Sequence, residues 1–389
     1  MRFSSESNMK KICLLGASGS IGGQTLDVIR KHPVDFSLVG FSVGKQVDKI
    51  PEIIKEFNPK FVCLKENAGS IIKQFPNVKF FYGDEGLNDL ITACDCDMVV
   101  NALVGFVGLK PSLTALENNK ILSLANKETL VTGGELINKL LKEGKGKLIP
   151  IDSEHVALSK CLAVDNTNVD KIVITASGGA FRKISRDQLE NVTPEDALKH
   201  PTWSMGQKIT IDSATMVNKT FEIIEAYYLF GYKYEDIELM FNYESFVHSL
   251  VRYKDGSYRL DEGKPDMRVP IKYALYEGAC EYDLVYVDKL EDYKASNLYP
   301  FDYDRFPIVN LAKKVIDEKG LYGATFNAAN EEAVYAFLNK KIKFTDIENI
   351  IDYCVNNVNN IQNPSYEDIK KCDVSTRELV AKIVKGEIK

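Results

Sequence analysis

Lys11-Ile-Cys-Leu-Leu-Gly16-Ala-Ser-Gly19-Ser-Ile-Gly22 is the stretch on which the fold turns. Its first part reads as a short buried strand, and the residues from Ile21 to Arg30 read as a helix with apolar Ile21, Leu26, Val28 and Ile29. Three glycines spaced three apart join the two. Glycine permits a tight turn and lets the backbone approach a pyrophosphate, whose charge meets the helix N-terminus. An ordinary strand-to-helix turn also uses glycine, so the surroundings must decide. Further strands are predicted at 37–42, 61–64 and 97–101, with a helix near 47–57. That alternation implies a parallel sheet with helices on both faces.

The GxxGxxG spacing does not choose between nicotinamide cofactors. Enzymes using NAD place an acid at the end of the second strand, about 20 residues on, for the ribose hydroxyls. Here the chain reads Val43-Gly44-Lys45-Gln46, with no acid. Lys45 suits the 2′-phosphate of NADP, although a solvated surface is the usual place for a lysine.

At 389 residues the chain exceeds one ordinary core, so two or three domains are expected. Its hydrophobic (45%) and charged (27%) fractions are those of a globular protein, which argues against disorder and membrane spanning. A net charge of -6 gives no broad attraction to nucleic acid or anionic membrane, so a phosphate site must be a local device. Eight cysteines without a CxxC pair read as reduced thiols, placing the protein in the cytoplasm. Cys94-Asp95-Cys96 lacks the further soft ligands of a metal clip. The opening MRFSSESNMKK is followed by no long apolar run and reads as neither a signal peptide nor an anchor.

The texture changes after Pro150. A strand is predicted at 171–176, then a polar stretch over 177–208 too long for a plain connection inside a compact domain. A strand at 247–253 before Asp255-Gly256 predicts a hairpin. Helical patterns follow over 308–319, 327–339 and 344–358.

Asp152-Ser153-Glu154 follows Leu148-Ile149-Pro150-Ile151 at an expected strand end. In an extended chain residues i and i+2 point the same way, so two carboxylates would converge. Asn218, Lys219 and Glu222 lie near the start of a helix predicted over 218–230, with Asn218 and Glu222 on one face. Three hard oxygen ligands suit Mg²⁺ or Mn²⁺, while each acid taken alone is equally at home in solvent.

Seven segments, in this order, are GASGSIG at 16–22, LANKE at 124–128, PIDSEH at 150–155, TASGGAFR at 175–182, HPTWSMG at 200–206, DSATMVNKTFE at 212–222 and KPDMRVPI at 264–271. Together they resemble the 1-deoxy-D-xylulose 5-phosphate reductoisomerase family over nearly the whole chain. The resemblance implies that Asp152, Glu154 and Glu222 bind Mn²⁺, Mg²⁺ or Co²⁺. Substrate, a sugar phosphate, would meet Lys127, Ser153, Glu154, Ser177, His200, Trp203, Ser213, Asn218, Lys219 and Glu222, with Lys127, Glu154, His200 and Glu222 catalytic. NADPH would meet Gly16, Ser18, Gly19, Ser20, Ile21, Gly44, Lys45, Gln46, Asn126, Glu128 and Gly206.

The family likeness also implies a homodimer of α/β chains, each with a Rossmann-like NADPH domain (1–150), a central α+β catalytic and dimerisation domain (151–285), a linker (286–305) and a C-terminal helical domain (306–389). The 177–208 stretch would be a lid, and Trp203 in so polar a segment fits one. Two departures stand out. Asn242-Tyr243-Glu244-Ser245 occupies the place where the family more often has His-Pro-Gln-Ser, and 258–262 is more polar than usual. No site role is carried to either. A plain NADP-dependent dehydrogenase would explain the glycine loop but leave the three carboxylates idle, and a non-catalytic NADP sensor would leave Lys127 idle as well.

Overall fold

A computed structural model describes residues 9–388, so most of the opening MRFSSESNMKK lies outside the described residues. The chain forms two compact units, neither continuous in sequence. Among the described residues the first comprises 9–126, 137–152 and 266–279, and the second 127–136, 153–265 and 280–388. Each unit is discontinuous because chain segments return to it after leaving it.

The first unit is built on a parallel sheet. Its strands are β1 (Lys10–Leu15), β2 (Phe36–Val43), β3 (Phe61–Leu64), β4 (Lys79–Tyr82), β5 (Met98–Asn101), β6 (Ile121–Leu124) and β7 (Lys147–Pro150). They lie in the order β4-β3-β2-β1-β5-β6-β7. Central β1 is covered on both faces, which is why Ile12, Cys13, Leu14 and Leu15 are all buried without alternation. The order reverses between β1 and β5, the place where such sheets open a crevice. The Arg268–Leu275 helix adds Ile271, Ala274 and Leu275 to this core. Lys10 Nζ holds Glu277 at 2.8 Å beside it.

The second unit carries a mixed sheet of β8 (Val169–Ala176), β9 (Ile237–Phe241), β10 (Val247–Tyr253), β11 (Tyr258–Glu262), β12 (Val285–Val287) and β13 (Tyr299–Pro300). The order is β12-β11-β10-β8-β9-β13, and only β8 and β9 run parallel. The expected hairpin is β10 with β11, and Gly256 supplies its positive φ of 90°. Four helices close the chain: Leu311–Glu318, Tyr322–Leu338, Phe344–Asn357 and Tyr366–Val384. The last escapes a search for apolar periodicity because two of its five buried residues are Asp373 and Thr376. Among the described residues no helix is long and apolar enough to cross a membrane.

The 177–208 stretch has internal structure. A 3-10 turn (Arg186–Asn191) and a short helix (Pro194–Ala197) bury Leu189 and Ala197. Ion pairs join Arg186 to Glu348 at 2.9 Å, Glu190 to Lys343 at 2.7 Å and Glu195 to Lys340 at 2.6 Å. The middle of the stretch is thus held against the closing helices and the loop between them, while residues 177–185 and 199–206 carry no helix or strand.

Two adjacent glycines in the Ser20–Lys31 helix separate local space from propensity. A Cβ on Gly22 would lie 2.1 Å from the Gly16 carbonyl oxygen, whereas one on Gly23 meets nothing within 4 Å. Gly22→Ala is expected to lower thermal stability by about 1–3 kcal/mol through overpacking. Gly23→Ala is expected to raise it by up to about 1 kcal/mol, the helix-interior preference for alanine. Melting curves of the two variants check the opposite signs.

Candidate functional site

The glycine turn of the first unit is dictated by close packing. Gly16 has φ of 83°, and a Cβ there would sit 2.7 Å from the Ala102 carbonyl oxygen just past β5. The turn is pinned to the end of β2, with Gly16 N–H donating to Ser42 Oγ and Ala17 N–H to the Ser42 carbonyl, both at 2.9 Å. Gly19 caps the Ser20–Lys31 helix without a side-chain hydrogen bond, and Gly19 and Ser20 are exposed at its start. A helix N-terminus of this kind favours an anion such as phosphate. Gly44, Lys45 and Gln46 are exposed at the end of β2, Ser18 and Ile21 are half-buried, and Gly44 has open space around it. Asn126 is buried and donates to the carbonyls of Leu103 and Gly105, each at 3.1 Å, which fixes the loop after β5. Sequence reasoning missed Lys49, whose ammonium donates to the Ser18 carbonyl at 3.1 Å.

The acidic residues come together, though not by the extended geometry the sequence suggested. Asp152 follows β7 directly, while Glu154 sits in the first turn of the Ser153–Val164 helix. The i, i+2 rule for strands therefore does not apply. Asp152 joins Ser153 by one peptide bond where the chain passes from the first unit to the second. Asp152, Glu154 and Glu222 offer carboxylate oxygens all within 4.8 Å of one another. Three hard donors at that spacing fit a small divalent cation, which completes its shell with water or substrate oxygens.

Within the second unit, cations surround these acids. Lys219 Nζ reaches Glu154 Oε1 at 3.2 Å and also contacts Glu222, its neighbour one helical turn on. Lys127 Nζ lies 3.4 Å from Glu222. Asn218 donates to Glu222 across the shared face of the Val217–Phe230 helix, as i, i+4 spacing requires. Ser153 Oγ donates to Glu154. His155, quoted in a motif but given no role, is fully buried behind the acids, its Nε2 3.0 Å from the Glu222 carbonyl.

The neutral donors converge through two more glycines. Gly178 and Gly179 have φ of 79° and 63°, and a Cβ on Gly179 would meet the Ser213 carbonyl oxygen at 2.5 Å. This contact brings the Ser177 loop onto Ser213. Ser177 Oγ lies 3.1 Å from His200 Nε2, and His200 Nδ1 accepts the backbone N–H groups of Thr202 at 3.2 Å and Trp203 at 3.0 Å. With Nδ1 accepting twice, Nε2 carries the proton and donates to Ser177. Burial, then the positive charges of Arg182 and Lys219, push the His200 pKa down to about 4. Trp203 is half-buried, its ring 6.5 Å from that of His248.

Glu128 and Gly206 both belong to the second unit. Glu128 is buried against Lys208 at 2.8 Å, a partner that the sequence reading did not name. Gly206 is exposed and caps the Gln207–Thr215 helix. Asn242, from the departure, is wholly buried; its amide donates to Ser296 Oγ at 2.7 Å and its carbonyl accepts Phe246 N–H at 2.7 Å.

Comparisons with known proteins point one way. Residues 12–134 match the family described as 1-deoxy-D-xylulose 5-phosphate reductoisomerase, residues 148–230 that enzyme's C-terminal domain, and residues 263–379 the DXP reductoisomerase C-terminal domain. A 1-deoxy-D-xylulose 5-phosphate reductoisomerase of Listeria monocytogenes serotype 4b is 45% identical over 380 residues, 96% of this chain and 99% of that protein. One named 1-deoxy-D-xylulose 5-phosphate reductoisomerase 2, of Bacillus anthracis, is 46% identical over 385 residues, with the same coverage. A crystal structure of DOX-P reductoisomerase in complex with NADPH, fosmidomycin and magnesium shares 35% identity at a TM-score of 0.88, covering 97% of this chain and 98% of that one. The Zymomonas mobilis enzyme in complex with NADPH shares 34% at 0.85, covering 97% and 99%.

The His200 environment makes a sign-definite expectation for the ligand-free protein. Its folded pKa of about 4 lies below the ordinary 6.5, so on acidification the unfolded chain takes up a proton before the folded one does. This histidine's contribution to stability is therefore present above about pH 6.5 and lost as pH falls toward 4. NMR titration of labelled histidines, with His200 assigned by its loss in His200→Asn, should show no midpoint for it between pH 8 and 5. A midpoint near 6.5 would refute the buried, cation-flanked setting.

Proposed function

The chain belongs to the 1-deoxy-D-xylulose 5-phosphate reductoisomerase family, and from that premise we propose how its own residues divide the work. The enzyme rearranges the carbon skeleton of 1-deoxy-D-xylulose 5-phosphate and reduces the resulting aldehyde with NADPH to 2-C-methyl-D-erythritol 4-phosphate, in isoprenoid synthesis, with a divalent metal. The observation that carries the site assignment is the convergence of Asp152, Glu154 and Glu222, with Lys127 and Lys219 beside them.

These three carboxylates would hold the Mg²⁺, Mn²⁺ or Co²⁺. When bound, that ion supplies Lewis acidity toward adjacent carbonyl and hydroxyl oxygens of the sugar. Lys127 places a positive charge where an oxyanion develops. Ser153 and Glu154 bind the sugar hydroxyls. Ser177, Ser213, Asn218 and Lys219 hold the phosphate with neutral donors and one compact cation. His200 stays neutral and keeps Ser177 oriented through Nε2–H while the Thr202 and Trp203 amides fix its ring. Residues 199–206 close over substrate and exclude water, with Trp203 as the covering ring.

For NADPH, Gly16, Ser18, Gly19, Ser20 and Ile21 take the pyrophosphate at the helix start. Gly44, Lys45 and Gln46 take the adenosine 2′-phosphate end, while Asn126, Glu128 and Gly206 serve the nicotinamide half. The working form is a cytoplasmic homodimer, with neither nucleic acid nor membrane as partner.

Two experiments test this reading. Glu222→Gln keeps the shape and removes one charge, so Mn²⁺ binding and turnover are expected to fall together by about 10- to 100-fold or more, since even outer-shell changes cost that much. NADPH affinity should hardly change, and chelator should abolish wild-type turnover. A folded Glu222→Gln enzyme that binds Mn²⁺ like the parent would sink the three-carboxylate site. Lys45→Asp should shift the NADPH/NADH ratio of kcat/KM toward NADH by about thirtyfold, or about 2 kcal/mol for one charged contact. An unchanged ratio would mean that the 2′-phosphate is read elsewhere.

A further inference from the structure

The second unit contains a buried cation that no step above uses. Lys208 is 8% exposed, and its ammonium reaches Glu128 Oε1 at 2.8 Å and Asp212 Oδ2 at 2.9 Å. Both partners are buried, at 7% and 2% exposure. The ring of Phe221 lies 5.0 Å from the ammonium, and Asn330 donates to the other Asp212 oxygen at 2.9 Å. Behind them Glu331 pairs with Arg377 at 2.7 Å. Burial pushes the Asp212 carboxyl up, more than Lys208 and Asn330 draw it down; at Glu128 burial also pushes upward, but Lys208, a backbone hydrogen bond and Lys127 together leave that carboxyl lowered.

Such clusters are a poor source of stability, because desolvating each charge costs several kcal/mol and well-packed apolar side chains often do as well. What an ion cluster does provide is a fixed geometry between the elements it joins. Glu128 follows Lys127 in the first turn of the Lys127–Lys142 helix. Asp212 precedes Ser213 near the end of the Gln207–Thr215 helix. Ser213 carries its carbonyl against Gly179, whose N–H donates to Ser177 Oγ at 3.2 Å. Lys208 itself lies two residues beyond Gly206, where the 199–206 segment ends.

We propose that Lys208 is a positioning residue for the reductoisomerase reaction: by tying Glu128 to Asp212 it sets the distance between the Lys127 ammonium and the serine donors that grip the substrate phosphate. The inference rests on the roles proposed above for Lys127, Ser177 and Ser213. Its consequence is specific. When the tie is cut, phosphate binding no longer places the reacting carbons beside Lys127, so the benefit that the phosphate brings to turnover falls. A loss of general stability would instead reduce turnover of all substrates alike.

The test compares kcat/KM for 1-deoxyxylulose 5-phosphate with that for 1-deoxyxylulose, using full-length enzyme with NADPH and Mn²⁺. Lys208→Met, of similar length and uncharged, should shrink the ratio by about tenfold or more, as misplacements of an ångström do. Asp212→Asn keeps Lys208 and Glu128 and should shrink it by about threefold in the same direction. If Lys208→Met gives no cooperative melting transition, Asp212→Asn alone decides. A ratio equal to the parent's in either folded variant overturns the proposal. Absence of turnover in the wild-type enzyme would strike the functional reading itself, a result distinct from an active parent whose variants keep its ratio.

Discussion

Three carboxylates held within 4.8 Å of one another repel, and everything around Asp152, Glu154 and Glu222 answers that repulsion. Lys219 sits between Glu154 and Glu222, and Lys127 lies beside Glu222 as well, so positive charge offsets the repulsion. The lysines in turn need fixed helices. Lys219 and Glu222 are held one turn apart on Val217–Phe230, and Lys127 begins a helix that kinks at Gly133. The Val217–Phe230 helix and residues 127–136 of the other pack in the core of the second unit, where Phe221 meets Phe326 edge to face at 5.2 Å. The geometry of the acids therefore depends on apolar packing behind them.

Much of the first unit was legible because its signals are local. A strand, a glycine turn and a helix occupy Lys10–Leu15, the loop to Gly19 and Ser20–Lys31, and each element announces itself within a dozen residues. The close approach of Gly16 to Ala102 was not legible in that way, since it depends on β5 lying next to β1. The second unit inverts this balance. Glu222 lies 67 residues from His155, and only the fold puts its carbonyl 3.0 Å from that ring. Spacing could suggest that Asn218 and Glu222 share a face, but family likeness was needed to join them to Asp152.

The residues that sequence reasoning passed over share a physical reason. Lys208, Lys49 and His155 are of types that usually face solvent or play many parts, and only the structure shows that Lys208 and His155 are buried. A signal for Lys208 existed in its i, i+4 relation to Asp212, but that pairing is common on exposed helices, where it contributes little. The strand rule applied to Asp152 and Glu154 reached the right neighbourhood by the wrong geometry. The chain turns helical at Ser153, so the acids meet at a strand-to-helix junction.

The Asn242-Tyr243-Glu244-Ser245 loop shows how a turn around a buried carboxamide is satisfied. Asn242 is buried, so its carboxamide must be paired at both ends, and it is: two donors to Ser296 and Asn297, two acceptances from Phe246 and Val247. Tyr243 stacks on Phe241 at 5.4 Å and lends its carbonyl to Arg182 at 2.6 Å. Ser245, in the left-handed region at φ of 53°, meets Thr202 Oγ1 at 3.0 Å, two residues from His200. The loop thus meets the His200 turn through Ser245, and Arg182 through the Tyr243 carbonyl, while Asn242 and Tyr243 are satisfied by Ser296, Asn297 and the aromatic stack. Asn242 also sets the path of the loop, because its side-chain carbonyl holds the Phe246 and Val247 N–H groups and with them the backbone just beyond Ser245.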